Sequence, residues 1–392
     1  MDSWPGRFHP GQDDPDEYDR QATGALIEVC HPIIEPLIDR LRRHSFGFAT
    51  MERVHADAID VEVLYRQTIP AAGLGLAAGV QDEVLVDYLE AFALCQTLIL
   101  NHVDRHLDLS SSITAGHSAV LLADVRTTAC YAITVLYEGI RALPHSTSGA
   151  RALATMSQTT SLIAQSMYDN YATRFSEAAL TDPEAVLEDY RHPVRSRHLG
   201  SGFYSSSILG LYQFVDQPIP EQLPDLLKDL RRVRQRIDEL ADLHEDTVTG
   251  MVTYPVALLL AGPYGDEARK IIRAAWRRCR FLVEGRRDDA LQATWTVRED
   301  ERLRELSAEL ITLADGTGVL ELCRDEADEL CARVAEQIHR TFDSPAQAVM
   351  TTVLDLKRAL LDRLSRARWL CPPVAHSLEQ IRQAVVTTNC GT

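Results

Sequence analysis

Arg236-Ile237-Asp238-Glu239-Leu240-Ala241-Asp242-Leu243-His244-Glu245-Asp246 is the stretch on which the reading of this chain turns. Ile237, Leu240 and Leu243 recur at helical spacing. Asp238, Asp242, Glu245 and Asp246 stand at i, i+4, i+7 and i+8, so a helix projects all four carboxylates to one side. Four like charges on one stripe destabilise a helix unless something neutralises them. Two or three divalent cations would do so, since carboxylate oxygens suit hard ions such as Mg²⁺. The alternative is a solvated acidic face interleaved with leucines. Thr247 to Leu260 follows, in which Gly250 ends the helix and Pro255 starts an apolar one.

A second acidic pair lies upstream. Leu100-Asn101-His102-Val103-Asp104-Arg105-His106-Leu107-Asp108 closes an apolar run containing Phe92, Leu98 and Ile99. Asp104 and Asp108 are i and i+4, one helical turn apart on one face. The core-like residues before them place the acids at the mouth of a packed interior.

Helical periodicity covers most of the rest. Gln21 to Arg43, Asp82 to His106, Ala119 to Leu143, Ser148 to Phe175, Leu223 to Thr249, Asp266 to Glu284, Arg298 to Ala314, Arg324 to Phe342 and Pro345 to Ala367 read as helices. Ser205 to Tyr212 and Pro255 to Leu260 lie in two more. Alternating β-branched runs between turn dipeptides are almost absent. The predicted fold class is all-α. No composition break forces a second domain, so one helical domain over 19–370 is expected, between flexible segments 1–18 and 371–392.

Bulk properties narrow the function classes. The chain has 392 residues, 45% hydrophobic, enough apolar material for a large core. Its 57 acidic against 40 basic residues give a formal net charge of −17, which argues against nucleic acid as the main partner. A small anionic substrate is compatible with that charge, because bound divalent metal reverses the local sign. No apolar run reaches the length of about 18 residues that a membrane span needs. The acidic, proline-bearing start, Met1 to Tyr18, lacks the form of a signal peptide. A cytoplasmic protein is expected. The eight cysteines form no CxxC pair, so a zinc cluster is not.

These motifs together resemble the trans-isoprenyl diphosphate synthase superfamily. There a second aspartate-rich motif, DDxxD, precedes an acidic pair, a glycine and a TxP turn into an apolar helix. Asp238-Glu239-Leu240-Ala241-Asp242, Glu245-Asp246, Gly250 and Thr253-Tyr254-Pro255 stand in that order. Asp104-Arg105-His106-Leu107-Asp108 resembles the first motif, with arginine at its second position. The segment His117 to Asp124 resembles the family's run of small residues ending in aspartate. Arg197, in Arg197-His198-Leu199-Gly200-Ser201-Gly202-Phe203, sits in the role of the family's lysine. The resemblance implies a single large helical bundle of the isoprenoid synthase type around a central cavity. It also implies a homodimer, and a set of three Mg²⁺ held by Asp104, Asp108, Asp238, Asp242 and Asp246.

In such a site, metal ions between two carboxylate helices act as Lewis acids on a departing diphosphate. Arg195 and Arg197, with Lys228 and Arg231 behind them, are the candidate basic partners of the diphosphate oxygens. A carbocation needs a dry cavity. Phe203, Tyr204 and Tyr168 are candidate aromatic walls. Tyr171 is a further one. Gln165 stands in a QxxxD spacing with Asp169, one residue longer than the family's QxxD.

The departures from the family decide between reactions. Chain-elongating members carry an arginine pair after the first motif and a Gly-Lys-x-x-Arg element near the N-terminus, which hold isopentenyl diphosphate. Here Leu109-Ser110-Ser111-Ser112-Ile113-Thr114 follows Asp108, and His44-Ser45-Phe46-Gly47-Phe48 follows the first helix. The expectation is therefore a terpene synthase that cyclises farnesyl or geranylgeranyl diphosphate, indifferent to isopentenyl diphosphate. A chain-elongating prenyltransferase is the alternative, with Arg273, Arg277, Arg278 and Arg280 as a rebuilt anion site. A non-catalytic partner subunit is a third reading, to which Arg105 gives weight and the retained aspartates do not.

Asp104→Ala or Asp242→Ala is expected to abolish diphosphate release from allylic substrates while circular dichroism keeps its helical signal; wild-type turnover in either variant would sink the metal assignment.

Overall fold

Heptad spacing organises the centre of the molecule. In the computed structural model the described residues are 28–40, 61–92, 147–156, 158, 177–191, 203–241, 243, 246–247, 251–284 and 300–366. They are helical in order at 28–40 (α1), Val61–Ala77 (α2), 82–92 (α3), 147–156 (α4), Glu177–Thr181 (α5), Pro183–Arg191 (α6), Phe203–Phe214 (α7) and Leu223–Ala241 (α8). Tyr254–Ala261 (α9), Gly265–Glu284 (α10), Glu301–Gly316 (α11), Val319–Thr341 (α12) and Ser344–Arg366 (α13) complete them. No strand occurs among the described residues, as the all-α expectation requires.

On α8, Leu223, Leu226, Leu230, Val233, Ile237 and Leu240 are buried at alternating spacings of three and four. On α12, Leu320, Cys323, Ala327, Leu330 and Val334 repeat the pattern. Two such seams zip together, and α8 packs on α12. Gln337 Nε2 donates to Asp229 Oδ2 at 2.9 Å, whereas Arg236 lies near Cys323 and Glu326. As α8 advances α12 retreats, so the pair is antiparallel. Helix α13 closes over both and reaches α2, which packs on α7.

The first helix behaves as its periodicity predicts. Cys30, Ile33, Ile34, Leu37 and Ile38 are buried on one face. Arg40 donates to Asp87 at 2.5 Å and to Glu90 at 3.0 Å, tying α1 to α3. Helix α9, Tyr-Pro-Val-Ala-Leu-Leu-Leu-Ala, has six of its eight residues buried; apolar on every side, it can only be an interior helix. It packs against α6, α10, α12 and α8.

Three helices have no counterpart in the sequence reading. Val61–Ala77 contains Pro70 and a run of small residues, so neither helical continuity nor an amphipathic period marks it. Glu177–Thr181 and Pro183–Arg191 are one or two turns long. Two helix starts also move by three residues or more. Asp300 caps α11 by accepting from Leu303 N at 3.0 Å, so that helix begins at Glu301 and not Arg298. Gly318, with φ +74°, caps α12, which begins at Val319, five residues before Arg324. The expected helix Ala119 to Leu143, the end segments 1–18 and 371–392, and the far parts of Asp82 to His106 and Ser148 to Phe175 lie outside the described residues.

Tyr88 on α3 fixes the approach of α7. Its hydroxyl donates to Ser207 O at 2.6 Å, its ring packs 5.1 Å from Phe214, and a Cβ on Gly210 would overlap that hydroxyl. Gly210→Ala is expected to lower stability by about 2 kcal/mol, the cost of overpacking a filled core. Adding Tyr88→Phe should return part of that loss in urea unfolding, because it removes the overlapping oxygen.

A second test concerns the α10–α11 corner, where Ala275, Cys279, Leu303 and Leu306 form a satellite core. Arg278 donates to Asp300 at 2.6 Å. That hydrogen bond holds the Asp300 carboxyl below its ordinary value of 3.8, against the opposing effect of burial. A depressed carboxylate stabilises the fold above 3.8 and loses that contribution as pH falls through its folded value. The stability advantage of wild type over Asp300→Asn should therefore persist at neutral pH and shrink in acid, read from urea midpoints across a pH series.

Candidate functional site

Because α8 commits one side to the α12 seam, Asp238 lies off that seam. Arg231, Gln235 and Asp238 follow one another at four- and three-residue steps, roughly opposite Leu230, Val233 and Ile237 around the helix. A solvated acidic face would be exposed along its length. Gln235 on this side is 9% exposed and Asp246, beyond the end of α8, is 8% exposed, whereas Asp238 between them is 44% exposed. Helix α7 packs against α8.

Asp238, 44% exposed, accepts from Arg234 Nε at 3.1 Å one turn upstream. An exposed i,i+4 pair of this kind holds its partners weakly, so Asp238 is available to a stronger cation. Asp246 lies eight residues on, beyond the end of α8 at Ala241. There Thr247 Oγ1 donates to Leu243 O at 2.6 Å and Met251 N donates to Asp246 O at 2.8 Å, turning the chain out of the helix. Thr253 caps α9 in an extended conformation, with Tyr254 as its first residue, one place before the predicted start at Pro255.

The basic candidates differ. Arg231 is half-buried on the same side as Asp238. Lys228 is exposed and pairs with Asp225 at 3.1 Å, about 15 Å up the axis from Asp238. Of the α10 arginines, Arg273 pairs with Glu177 and Arg278 with Asp300, which holds both in contacts between helices. Phe203 and Tyr204 stand in the first turn of α7. Asp104, Asp108, Gln165, Tyr168, Tyr171, Arg195, Arg197 and Asp242 lie outside the described residues. Among the described residues no group of three or more His, Cys, Asp or Glu is close enough to hold a metal; Asp238 and Asp246 are the two members of the acidic set that are described.

Next to the stripe is a polar network that the motif reading did not find. Glu239, only 7% exposed, accepts from the Tyr190 hydroxyl at 2.5 Å and from Gln235 Nε2 at 3.0 Å. Arg236, 14% exposed, lies 3.6 Å from Glu239 Oε2. The Arg236 guanidinium carbon sits 3.3 Å from the Tyr254 ring centre and 4.7 Å from that of Tyr190, a cation–π arrangement. Tyr254 donates onward to Glu326 Oε1 at 2.9 Å. Burial, then the hydrogen bond to Glu326, push the Tyr254 hydroxyl well above its ordinary range. The signal available in sequence was Arg236 and Glu239 at i,i+3 on a helix whose other faces were already assigned.

No protein-family model and no curated protein matches the chain. Solved structures do. A polyprenyl synthase from Caulobacter crescentus, complexed with calcium and isoprenyl diphosphate, aligns over 89% of this chain and 98% of its own at TM-score 0.56 and 14% identity. Geranylgeranyl pyrophosphate synthase from Corynebacterium glutamicum aligns over 92% and 97% at TM-score 0.57 and 14% identity. Heptaprenyl diphosphate synthase from Staphylococcus aureus aligns over 85% and 98% at TM-score 0.54 and 11% identity. At such identities the likeness is one of fold: this chain has the all-α fold of the trans-isoprenyl diphosphate synthases, the superfamily its motifs resemble. No described helix is long and apolar enough to cross a membrane.

Proposed function

We propose that this chain is an isoprenoid synthase that ionises an allylic prenyl diphosphate and transfers the prenyl group to a second substrate. The observation that supports this most is an acidic helix carrying Asp238 and followed by the buried Asp246, on a fold whose solved neighbours are prenyl diphosphate synthases. The oxygen donors suit a hard cation. Asp104, Asp108, Asp238, Asp242 and Asp246 would hold Mg²⁺, in a set of three ions. The chemistry such ions supply is Lewis-acid neutralisation of the diphosphate leaving group.

The chain's own residues do the rest. Arg195, Arg197 and Arg231 pair with diphosphate oxygens, while Lys228, about 15 Å along α8 from Asp238, is left out of that role. Phe203, Tyr204, Tyr168 and Gln165 wall the cavity and keep water from the cation. One domain over 19–370 and a homodimer complete the proposal.

Cyclisation of farnesyl or geranylgeranyl diphosphate is the second reading. What favours it is the absence of arginine between Asp108 and Thr114 and of a Gly-Lys pair before Phe48. The engagement of Arg273 and Arg278 with Glu177 and Asp300 adds to it, because those arginines do not then rebuild a second anion pocket.

The test is incubation with geranyl, farnesyl and geranylgeranyl diphosphates and Mg²⁺, with and without isopentenyl diphosphate. Longer diphosphates formed only with isopentenyl diphosphate are the expected outcome. Hydrocarbons or alcohols formed without it would replace transfer by cyclisation, and no Mg²⁺-dependent diphosphate release from any of the three would sink both readings in favour of a non-catalytic subunit.

A further inference from the structure

We infer that Glu239, although it stands inside the acidic motif, is a positioning residue and not a metal ligand: with Arg236, Tyr190 and Tyr254 it clamps the rotation of α8 about its own axis. The inference rests on the function proposed above, since it is the metal-binding stripe of α8 that the clamp would set.

Glu239 follows Asp238 by one residue, which turns it about 100° around the helix. Both of its carboxylate oxygens are directed at protein groups. Oε1 receives the Tyr190 hydroxyl and the Gln235 amide, and Oε2 faces Arg236 at 3.6 Å. A carboxylate engaged in this way, 7% exposed, balances a half-buried cation and does not add to the charge of the stripe. Arg236 in turn rests on rings from two other helices, Tyr190 of α6 and Tyr254 of α9. Tyr254 continues to Glu326 on α12. Four helices thus meet at one ion pair through directional contacts.

A heptad seam of aliphatic side chains resists separation of α8 from α12 but resists a small roll much less. At a side-chain radius of about 5–6 Å, a roll of about 10° displaces a carboxylate by about 1 Å. Displacements of that size are enough to spoil a reactive geometry. Hydrogen bonds and ring contacts at defined angles oppose the roll where packing alone does not. Tyr254 also lies just beyond the turn that follows Asp246, so the same clamp fixes both sides of that turn.

The test compares full-length wild type with Asp238→Asn, Glu239→Gln, Arg236→Met, Tyr190→Phe and the Glu239→Gln/Arg236→Met pair. Thermal unfolding, the Mg²⁺ half-saturation of diphosphate release, and kcat and KM for the allylic diphosphate are measured. Glu239→Gln should unfold several degrees lower, because it leaves the half-buried Arg236 without its counter-charge; the double variant should recover those degrees. Mg²⁺ half-saturation should stay within about threefold of wild type in both, against a rise of roughly tenfold or more in Asp238→Asn. In the double variant and in Tyr190→Phe, kcat should fall, by roughly tenfold in the former, with KM unchanged.

A Mg²⁺ shift in Glu239→Gln equal to that in Asp238→Asn would make Glu239 a ligand and overturn the inference. Recovery of kcat together with stability would make the pair merely structural and overturn it too, as would additive effects of the two substitutions on unfolding. Absence of diphosphate release from wild type would end the proposed function and the positioning role with it. The unfolding series, which needs no substrate, tells that failure from the failure of the clamp.

Discussion

The antiparallel seam between α8 and α12 is the constraint to which the other described helices answer. Its aliphatic side chains, from Leu223 to Leu240 and from Leu320 to Val334, come from two helices of 19 and 23 residues, and the hydrophobic effect drives their burial. Once that seam is closed, the orientation of α8 is decided to within a small roll, and every polar residue on it acquires a definite side. Asp238 lies off the seam. The apolar helix α9 can then lie only in the interior, against α6, α10 and α12. Helix α13 covers what remains and reaches α2.

Much of this was legible in the chain because helical period is a local property. Cys30, Ile33, Ile34, Leu37 and Ile38 announce their face without any knowledge of a partner, and that face is buried. The seam residues of α8 do the same. The helix Val61–Ala77 was not legible, since Pro70 and small residues erase the period; what makes it a helix is the tertiary company of α7 and α13. The start of α12 was missed for a different reason. Gly318 takes a left-handed φ of +74°, and nothing in the one-dimensional pattern distinguishes such a glycine from one within a helix.

The site divides along the same line. Spacing put Asp238 and Asp246 on one stripe, a statement about a single helix. It could not identify Tyr190, Tyr254 and Glu326 as companions of Arg236 and Glu239, because these come from three other helices and meet only in the folded chain. The α10 arginines are a related case. Their clustering suggested an anion pocket, but Arg273 and Arg278 face carboxylates at Glu177 and Asp300, which are distant in sequence. Opposite charges far apart in a chain find each other only through the fold.

Cys30, Cys279, Cys323 and Cys331 are buried and free. Loss of water pushes their thiols up to about 12, 11, 12 and 11 respectively. The thiolate is the reactive form, so in the closed fold each is doubly protected, by enclosure and by protonation. Cys30 belongs to α1, Cys279 to α10 and the other two to α12. The rate at which a thiol reagent reaches each is therefore a clock for the opening of its own helix. The fold carries, without any added probe, timers in three separate helices, two of them on the seam helix α12.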